Sequence, residues 1–166
     1  MSNDFYTNSI LPYAGIIIKI CRAYSNSQVD FEDHYQEVCL QIWRSRENFK
    51  RKSEWSTWIY RISLNVCLTL KRNEQKRKQR LVSSNNFPEI ENKETPEKHD
   101  KPLLNLYRAI RALSEIDRAI IILYLEEKSY KEIAKIIGTN ANNIGVRIKR
   151  IKEKLKKIIS NHENVN

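Results

Sequence analysis

Two amides and three cations crowd one short stretch of this 166-residue chain: Asn142, Asn143, Arg147, Lys149 and Arg150. Such groups hydrogen-bond base edges, and clustered cations bind phosphate. The residues before them indicate how such a face is held. Ser129 followed by Glu132 is a capping box, each side chain able to satisfy a backbone N–H at a helix start. Tyr130, Ile133, Ala134 and Ile137 then form one apolar stripe at helical spacing. Gly138 stops that helix, because glycine takes a left-handed turn without a steric penalty. Asn140 caps a second helix, with Ile144, Ile148, Ile151, Leu155 and Ile158 inward and Asn142, Asn143, Val146, Arg147, Lys149 and Arg150 on other faces. Ala134 and Gly138 are small enough for the two helices to pack closely. Two short helices joined by a tight glycine turn, the second basic and amide-rich, read as a helix-turn-helix. An αα-hairpin with a solvated basic face carries the same pattern without the function.

Nothing in the chain points to catalysis. The three histidines lack ligand spacing, and Cys21, Cys39 and Cys67 are far apart with no C-x-x-C pair, which speaks against a zinc site. Neither a glycine loop for phosphates nor a nucleophile signature is present, so no enzyme activity, metal or cofactor is expected. The cysteines read as reduced packing residues. Lys+Arg 30 against Asp+Glu 20 gives a net charge of +10, which favours a polyanionic partner, nucleic acid or an acidic membrane surface. The apolar run 14–20 is broken by Lys19 and cannot span a bilayer. The N-terminus lacks the basic start and apolar core of a signal peptide, so a cytoplasmic location is expected.

The elements that would position these residues are helical throughout. Residues 1–9 are polar and expected to fray. Pro12 suits the first turn of a helix to about residue 24, with Tyr13, Ile17, Ile20 and Tyr24 inward. After a polar break at 25–28, Asp30 is the expected cap of a second helix burying Phe31, Tyr35, Val38 and Ile42. Its other faces carry Asp33, Gln36, Glu37 and Gln41, an acidic-amide strip whose default reading is simple solvation. The loop 48–53, NFKRKS, sets an aromatic among cations. A long helix from about 54 to 80 follows, with Trp55, Trp58 or Ile59, Ile62, Val66 and Leu70 inward. Its distal end, 71–80, carries six basic residues and one acidic. Trp58 is expected in the core, yet aromatics beside Lys and Arg also suit single-stranded nucleic acid, where bases stack on rings. Residues 81–101, rich in Ser, Asn, Glu, Lys and Pro, read as a flexible, mildly acidic tether. Pro102 opens a helix with Leu103, Leu106, Ile110 and Leu113 inward. Ser114 caps another, 115–126, with Ile116, Ile120, Leu123 and Tyr124 inward. The expected fold is all-α: two small helical domains, 1–80 and 103–166, joined by a linker at 81–102.

VDFEDHYQEVCLQIW, then SEWSTWIYRISLNV, then a linker, then LSEIDRAIIILYLEEKSYKEIAKIIGTNANNIGVRIKRIKEKL resembles the extracytoplasmic-function (ECF) group of the sigma-70 family. These small bacterial sigma factors direct RNA polymerase to promoters. The helix-turn-helix is shared with many regulators, whereas the two earlier blocks, in this order, are much more specific. The resemblance covers about residues 13–156 apart from the tether.

Several roles are implied by this resemblance rather than by composition. Asp33, Gln36, Glu37 and Gln41 would dock on the polymerase β′ clamp. Phe49 would pocket a base flipped from the non-template strand, with Lys50, Arg51, Tyr60 and Arg61 beside it in the minus-ten-reading set. Ile62 and Asn65 would approach the upstream edge of that element. Arg72, with the rest of 71–80, would hold phosphates. Val146, Lys149 and Arg150 would read the minus-thirty-five element, with Asn142, Asn143 and Arg147 on the same face and Asn142 and Arg147 as anchors. The tether would thread the polymerase toward its RNA path. Implied partners are core RNA polymerase (β′ clamp and β subunits), promoter DNA and an anti-sigma factor, which can be membrane-bound, with no insertion of this chain into a membrane. His34 and Tyr35 depart from the family's apolar preference. Gly145, inside the second helix, either admits a close DNA backbone or reflects lineage habit. The rival readings are a stand-alone helix-turn-helix regulator, which leaves 30–43 and 55–65 idle, and a sigma mimic that binds an anti-sigma factor, which should lose its basic DNA faces. A nucleic-acid hydrolase is the remote third.

Overall fold

The computed structural model of the protein describes residues 3–83 and 101–163. Among the described residues every regular element is helical, in keeping with the all-α expectation. Seven helices exceed a single turn: α1 (Ala14–Tyr24), α2 (Gln28–Ser45), α3 (Trp55–Ser83), α4 (Lys101–Arg111), α5 (Glu115–Leu125), α6 (Tyr130–Ile137) and α7 (Ala141–Glu163). Most of the expected tether, residues 84–100, lies outside the described residues. Among the described residues two compact units emerge, one drawn from residues 3–48 and 62–83, the other from 49–61 and 101–163.

In the first unit α1 buries Ile16, Ile17, Ile20, Cys21, Ala23 and Tyr24, and α2 contributes Val38, Cys39 and Ile42. Each buried aliphatic side chain contributes about 1.5–3 kcal/mol. The cysteines are free and buried, as expected of packing residues. Burial pushes the Cys39 thiol up to about 11. The hydrogen bond to Cys21, followed by burial, raises Cys67.

Three expectations fail here. Residues 3–9 do not fray: helical turns run from Asn3 to Tyr13, Phe5 meets Trp43 edge-on at 5.1 Å, and the Tyr6 and Tyr35 hydroxyls share a 2.9 Å hydrogen bond. Two aromatics finding aromatic partners on α2 outweigh the polar residues around them. The cap of α2 is Ser27, not Asp30: Ser27 is extended and its hydroxyl accepts the Asp30 N–H at 3.1 Å. Asp30 instead sits in the first turn, where its charge suits the helix dipole. On α3 the buried positions are Ile59, Tyr60, Ser63, Leu64 and Cys67, while Trp55, Ile62, Val66 and Leu70 are half-buried. The stripe is rotated by about one residue because apolar side chains occupy several faces of this helix.

The second unit is centred on α5, where Ala119, Ile120, Ile121, Ile122 and Leu123 are consecutive and all buried. Such an all-round apolar helix needs neighbours on every side. They include Ala109, Ile110 and Leu113 from α4 and its exit, Ile133, Ala134 and Ile136 of α6, and Ile144, Ile148, Ile151 and Leu155 of α7. Arg118 is buried with them, but its guanidinium donates to the carbonyls of Arg111 (2.7 Å) and Leu113 (3.3 Å). Those carbonyls lie at and just beyond the end of α4, so a buried cation and the acceptors of a helix end satisfy each other. Leu103, Ile116 and Tyr130, expected inward, are exposed. The caps follow expectation: the Ser114 hydroxyl accepts the Asp117 N–H, and Ser129 with Glu132 forms a complete capping box. Gly138 has φ +88°, and its N–H and that of Thr139 both reach the Ala134 carbonyl. Asn140 Oδ1 accepts the Asn143 N–H at 2.9 Å. The α5 exit makes a similar left-handed turn without glycine, at Glu127 (φ 58°).

Candidate nucleic-acid interface

The first candidate surface surrounds the start of α3. Phe49 stands edge-on to Trp55 at 4.9 Å, Trp55 stacks on Trp58 at 4.6 Å, and Phe49 lies 5.4 Å from Trp58. All three rings are half-buried, so Trp58 is not the core residue expected; it is the base of an aromatic cluster with open faces. Lys50, Arg51 and Lys52 are exposed beside it, and Arg51 holds a left-handed backbone (φ 53°), unusual for a residue with a Cβ. Rings bordered by cations can stack bases and attract phosphate. Tyr60 is the outlier of the expected set: at 7% exposure it is mostly core, with the Lys128 ammonium 5.2 Å from its ring. Arg61 is exposed and donates to the Lys135 carbonyl. Further along α3, Ile62 is half-buried, while Asn65 and Arg72 are exposed. Their spacing sets all three along one face of the helix.

On α2, Asp33 and Gln36 are exposed and Glu37 and Gln41 half-exposed, again along one helical face. Glu37 pairs with Arg44 at 3.7 Å, a surface contact worth little by itself. His34, next to this strip, is buried, its Nδ1 2.6 Å from the Asp30 carbonyl, and Tyr35 points its hydroxyl at Tyr6. Burial, then the Tyr6 hydrogen bond, pushes the Tyr35 phenol well above its ordinary range. Both departures from apolar character thus serve internal packing and leave the strip itself unchanged.

The second candidate surface is α7. Asn142, Asn143, Val146, Lys149 and Arg150 are exposed, while Arg147 is half-exposed. An open groove of about 390 Å³ is lined by Thr139, Asn143, Val146, Arg147, Arg150, Lys154 and, from α5, Asp117. Arg147 is not a free cation: its Nε and Nη2 both lie 3.2 Å from Asp117 Oδ1, and Lys154 Nζ lies 3.6 Å from Oδ2. Asp117, Thr139 and Lys154 were not singled out from the sequence. The membership of Asp117 depends on a pairing across 30 positions that no local pattern encodes. Gly145 packs against α6: a Cβ there would lie 3.3 Å from the Tyr130 ring. Its small size makes room for that ring.

Residues 10–77 match the Sigma-70 region 2 family and residues 103–155 match Sigma-70, region 4. The chain belongs to the sigma-70 family. ECF RNA polymerase sigma factor SigG of Mycobacterium tuberculosis is 28% identical over 175 residues, covering 89% of this chain and 46% of that protein. ECF RNA polymerase sigma factor SigE of Mycolicibacterium smegmatis is 24% identical over 156 residues, covering 92% of this chain and 60% of that protein. The chain spans about half to three-fifths of the length of these relatives. In fold it is similar to the sigma factor RpoE crystallised with the anti-sigma factor NepR from Bartonella quintana. That match has a TM-score of 0.72 and 22% identity, over 96% of this chain and 98% of that one. The aromatic cluster, Asn65, Arg72 and the α2 strip lie inside the region 2 match, and the α7 face lies inside region 4. Among the described residues no helix is long and apolar enough to cross a membrane.

Proposed function

We propose that this chain is a promoter-specificity subunit, an ECF sigma factor that binds core RNA polymerase and directs it to a set of promoters. The observation that carries the reading is one chain bearing, in region order, an exposed acid-amide strip, an aromatic cluster ringed by cations, and a basic helix-turn-helix. On this reading it has no active site of its own and works in the cytoplasm as two domains, 1–80 and 103–166, joined by a tether. Asp33, Gln36, Glu37 and Gln41 meet the polymerase clamp. Phe49, with Lys50 and Arg51, takes a flipped base of the minus-ten element, a step that costs stacking and recovers it in a matching pocket. Asn65 and Arg72 follow the strand upstream. Asn142, Asn143, Val146, Lys149 and Arg150 face the minus-thirty-five element, where Val146 suits a thymine methyl and Arg150 a guanine edge. A stand-alone regulator would use only α6 and α7 and gives no role to the region 2 half. An anti-sigma factor is a further partner on this reading.

The test is transcription in vitro with purified core polymerase, this chain and a library of genomic fragments. Discrete promoters should be used only when the chain is added. Glu37→Lys should weaken association with core polymerase by about tenfold or more while leaving the melting temperature nearly unchanged, since the strip is not core. Undiminished co-purification of that variant with core polymerase would remove the strip from the interface.

A further inference from the structure

Asp117 is the one acidic side chain among the residues that line the α7 groove, and it is paired there with two cations. Its carboxylate is only 9% exposed, at the first turn of α5, where the helix dipole favours a negative charge. It takes two nitrogens of Arg147 on one oxygen and faces Lys154 with the other. Arg147 is 43% exposed, so solvent screens the pair, and its contribution to stability is small. What the pair does fix is geometry. Nε–H donates to Asp117 and Nη2 lies at ion-pair distance from the same oxygen, which leaves the N–H groups on the outer edge of Nη1 and Nη2 for another acceptor. That outer edge has the shape that bonds O6 and N7 of guanine together. The same pairing offsets much of the cation's charge, which weakens its pull on phosphate.

We propose that Asp117 is a positioning residue for promoter reading: it converts Arg147 from a general phosphate anchor into a fixed base reader that prefers guanine. The inference rests on the promoter-reading function proposed above. It gives Asp117 and Lys154 roles and changes that of Arg147. Lys154 shares the carboxylate and keeps it turned into the groove.

The experiment uses polymerase holoenzyme assembled with the full chain, binding its best promoter and that promoter's single-base variants in the minus-thirty-five element, over a salt series. The parent should prefer guanine at one position by at least about fivefold. Asp117→Asn keeps size and an acceptor but not the charge. It should lose most of that preference and steepen the salt dependence by about one charge, because removing one carboxylate leaves Arg147 and Lys154 together one unit more positive toward phosphate. Arg147→Lys keeps the charge and loses the planar fork, so it should also lose the preference, and it serves as the second probe should Asp117→Asn melt. In an Arg147→Ala background, Asp117→Asn should change the preference no further. Intact preference in both Asp117→Asn and Arg147→Lys overturns the proposal. So does an Asp117→Asn effect that persists undiminished in the Arg147→Ala background. A parent holoenzyme with no promoter preference at all would instead bring down the sigma-factor reading and this inference with it.

Discussion

The two candidate DNA surfaces hold their working groups by different means. Around α3 the side chains hold each other: Phe49, Trp55 and Trp58 form a three-ring cluster beside a loop with a left-handed arginine. On α7 bonds to the backbone do most of the holding, through the α6 capping box, a glycine turn and an Asn140 cap, with a buried carboxylate beneath one arginine. Rings that pack against one another can exchange a neighbour for a base, which suits a single strand whose bases have come out of the stack. A helix fixed by its caps cannot adapt in this way, but it presents donors at constant spacing, which suits the edges of an intact duplex. On the proposed function, the contrast suits the first surface to strand opening and the second to duplex binding.

The largest expected effect tests that division. Stacking a base on an aromatic ring is worth about 1–3 kcal/mol, so Phe49→Ala should reduce open-complex formation by about 5- to 150-fold. Permanganate reactivity of unpaired thymines measures this. Binding of the holoenzyme to a duplex carrying only the minus-thirty-five element should stay within about twofold of the parent. An equal loss in both assays would mean that the two surfaces do not divide the work.

A pair of glycine substitutions examines the backbone-held surface next. Gly138 sits at φ +88°, where a Cβ costs about 1–2 kcal/mol, so Gly138→Ala should lower the melting temperature. Gly145 is helical, and Ala there gains up to about 1 kcal/mol of helix propensity. The new Cβ would crowd the Tyr130 ring at 3.3 Å, but Tyr130 is exposed and its ring can turn aside. Gly145→Ala should therefore raise the melting temperature slightly. A fall would show that Tyr130 is fixed in place and that α6 and α7 are locked together more firmly than their caps alone require.

The sequence disclosed what local chemistry decides and hid what depends on distant neighbours. Ser114, Ser129, Gly138 and Asn140 were legible because a cap or a left-handed turn needs only the residues within one helical turn of it. The α2 start was ambiguous on the same logic: Ser27 and Asp30 are both good caps three positions apart, and the extended backbone of Ser27 decided between them. The docking of Phe5 and Tyr6 was invisible because their partners, Trp43 and Tyr35, lie on another helix. The buried face of α3 was misjudged by about one position because the helix has apolar residues all round its first half. Most of the α7 face was readable from helical spacing. Asp117 was not, because as the third residue after a cap it looks like an ordinary first-turn acid.

The smallest expected effect concerns pH and bears only on the backbone-held surface. The Glu132 carboxylate accepts the Ser129 N–H at 2.7 Å, and that bond holds its pKa below the ordinary value of 4.5. A carboxyl whose folded pKa is depressed contributes stability above its unfolded pKa and loses it as pH falls through the folded one. The capping box should thus help at pH 6 and fade below about pH 4.5. Glu132→Gln keeps a carbonyl oxygen for the Ser129 N–H but carries no titrating charge. The parent should melt slightly above this variant at pH 6, and the gap should close as pH falls through the depressed folded pKa. The group is nearly fully exposed, so the difference will be small, and it should shrink further in high salt. Neither the Phe49 ring nor thymine titrates in this range, so binding of a short thymine-only single strand should not follow the same curve. A gap that widens on acidification would mean that the Ser129 contact does not favour the carboxylate in solution, and the start of α6 would then owe its position to Ile133 and Ala134 in the core rather than to its cap.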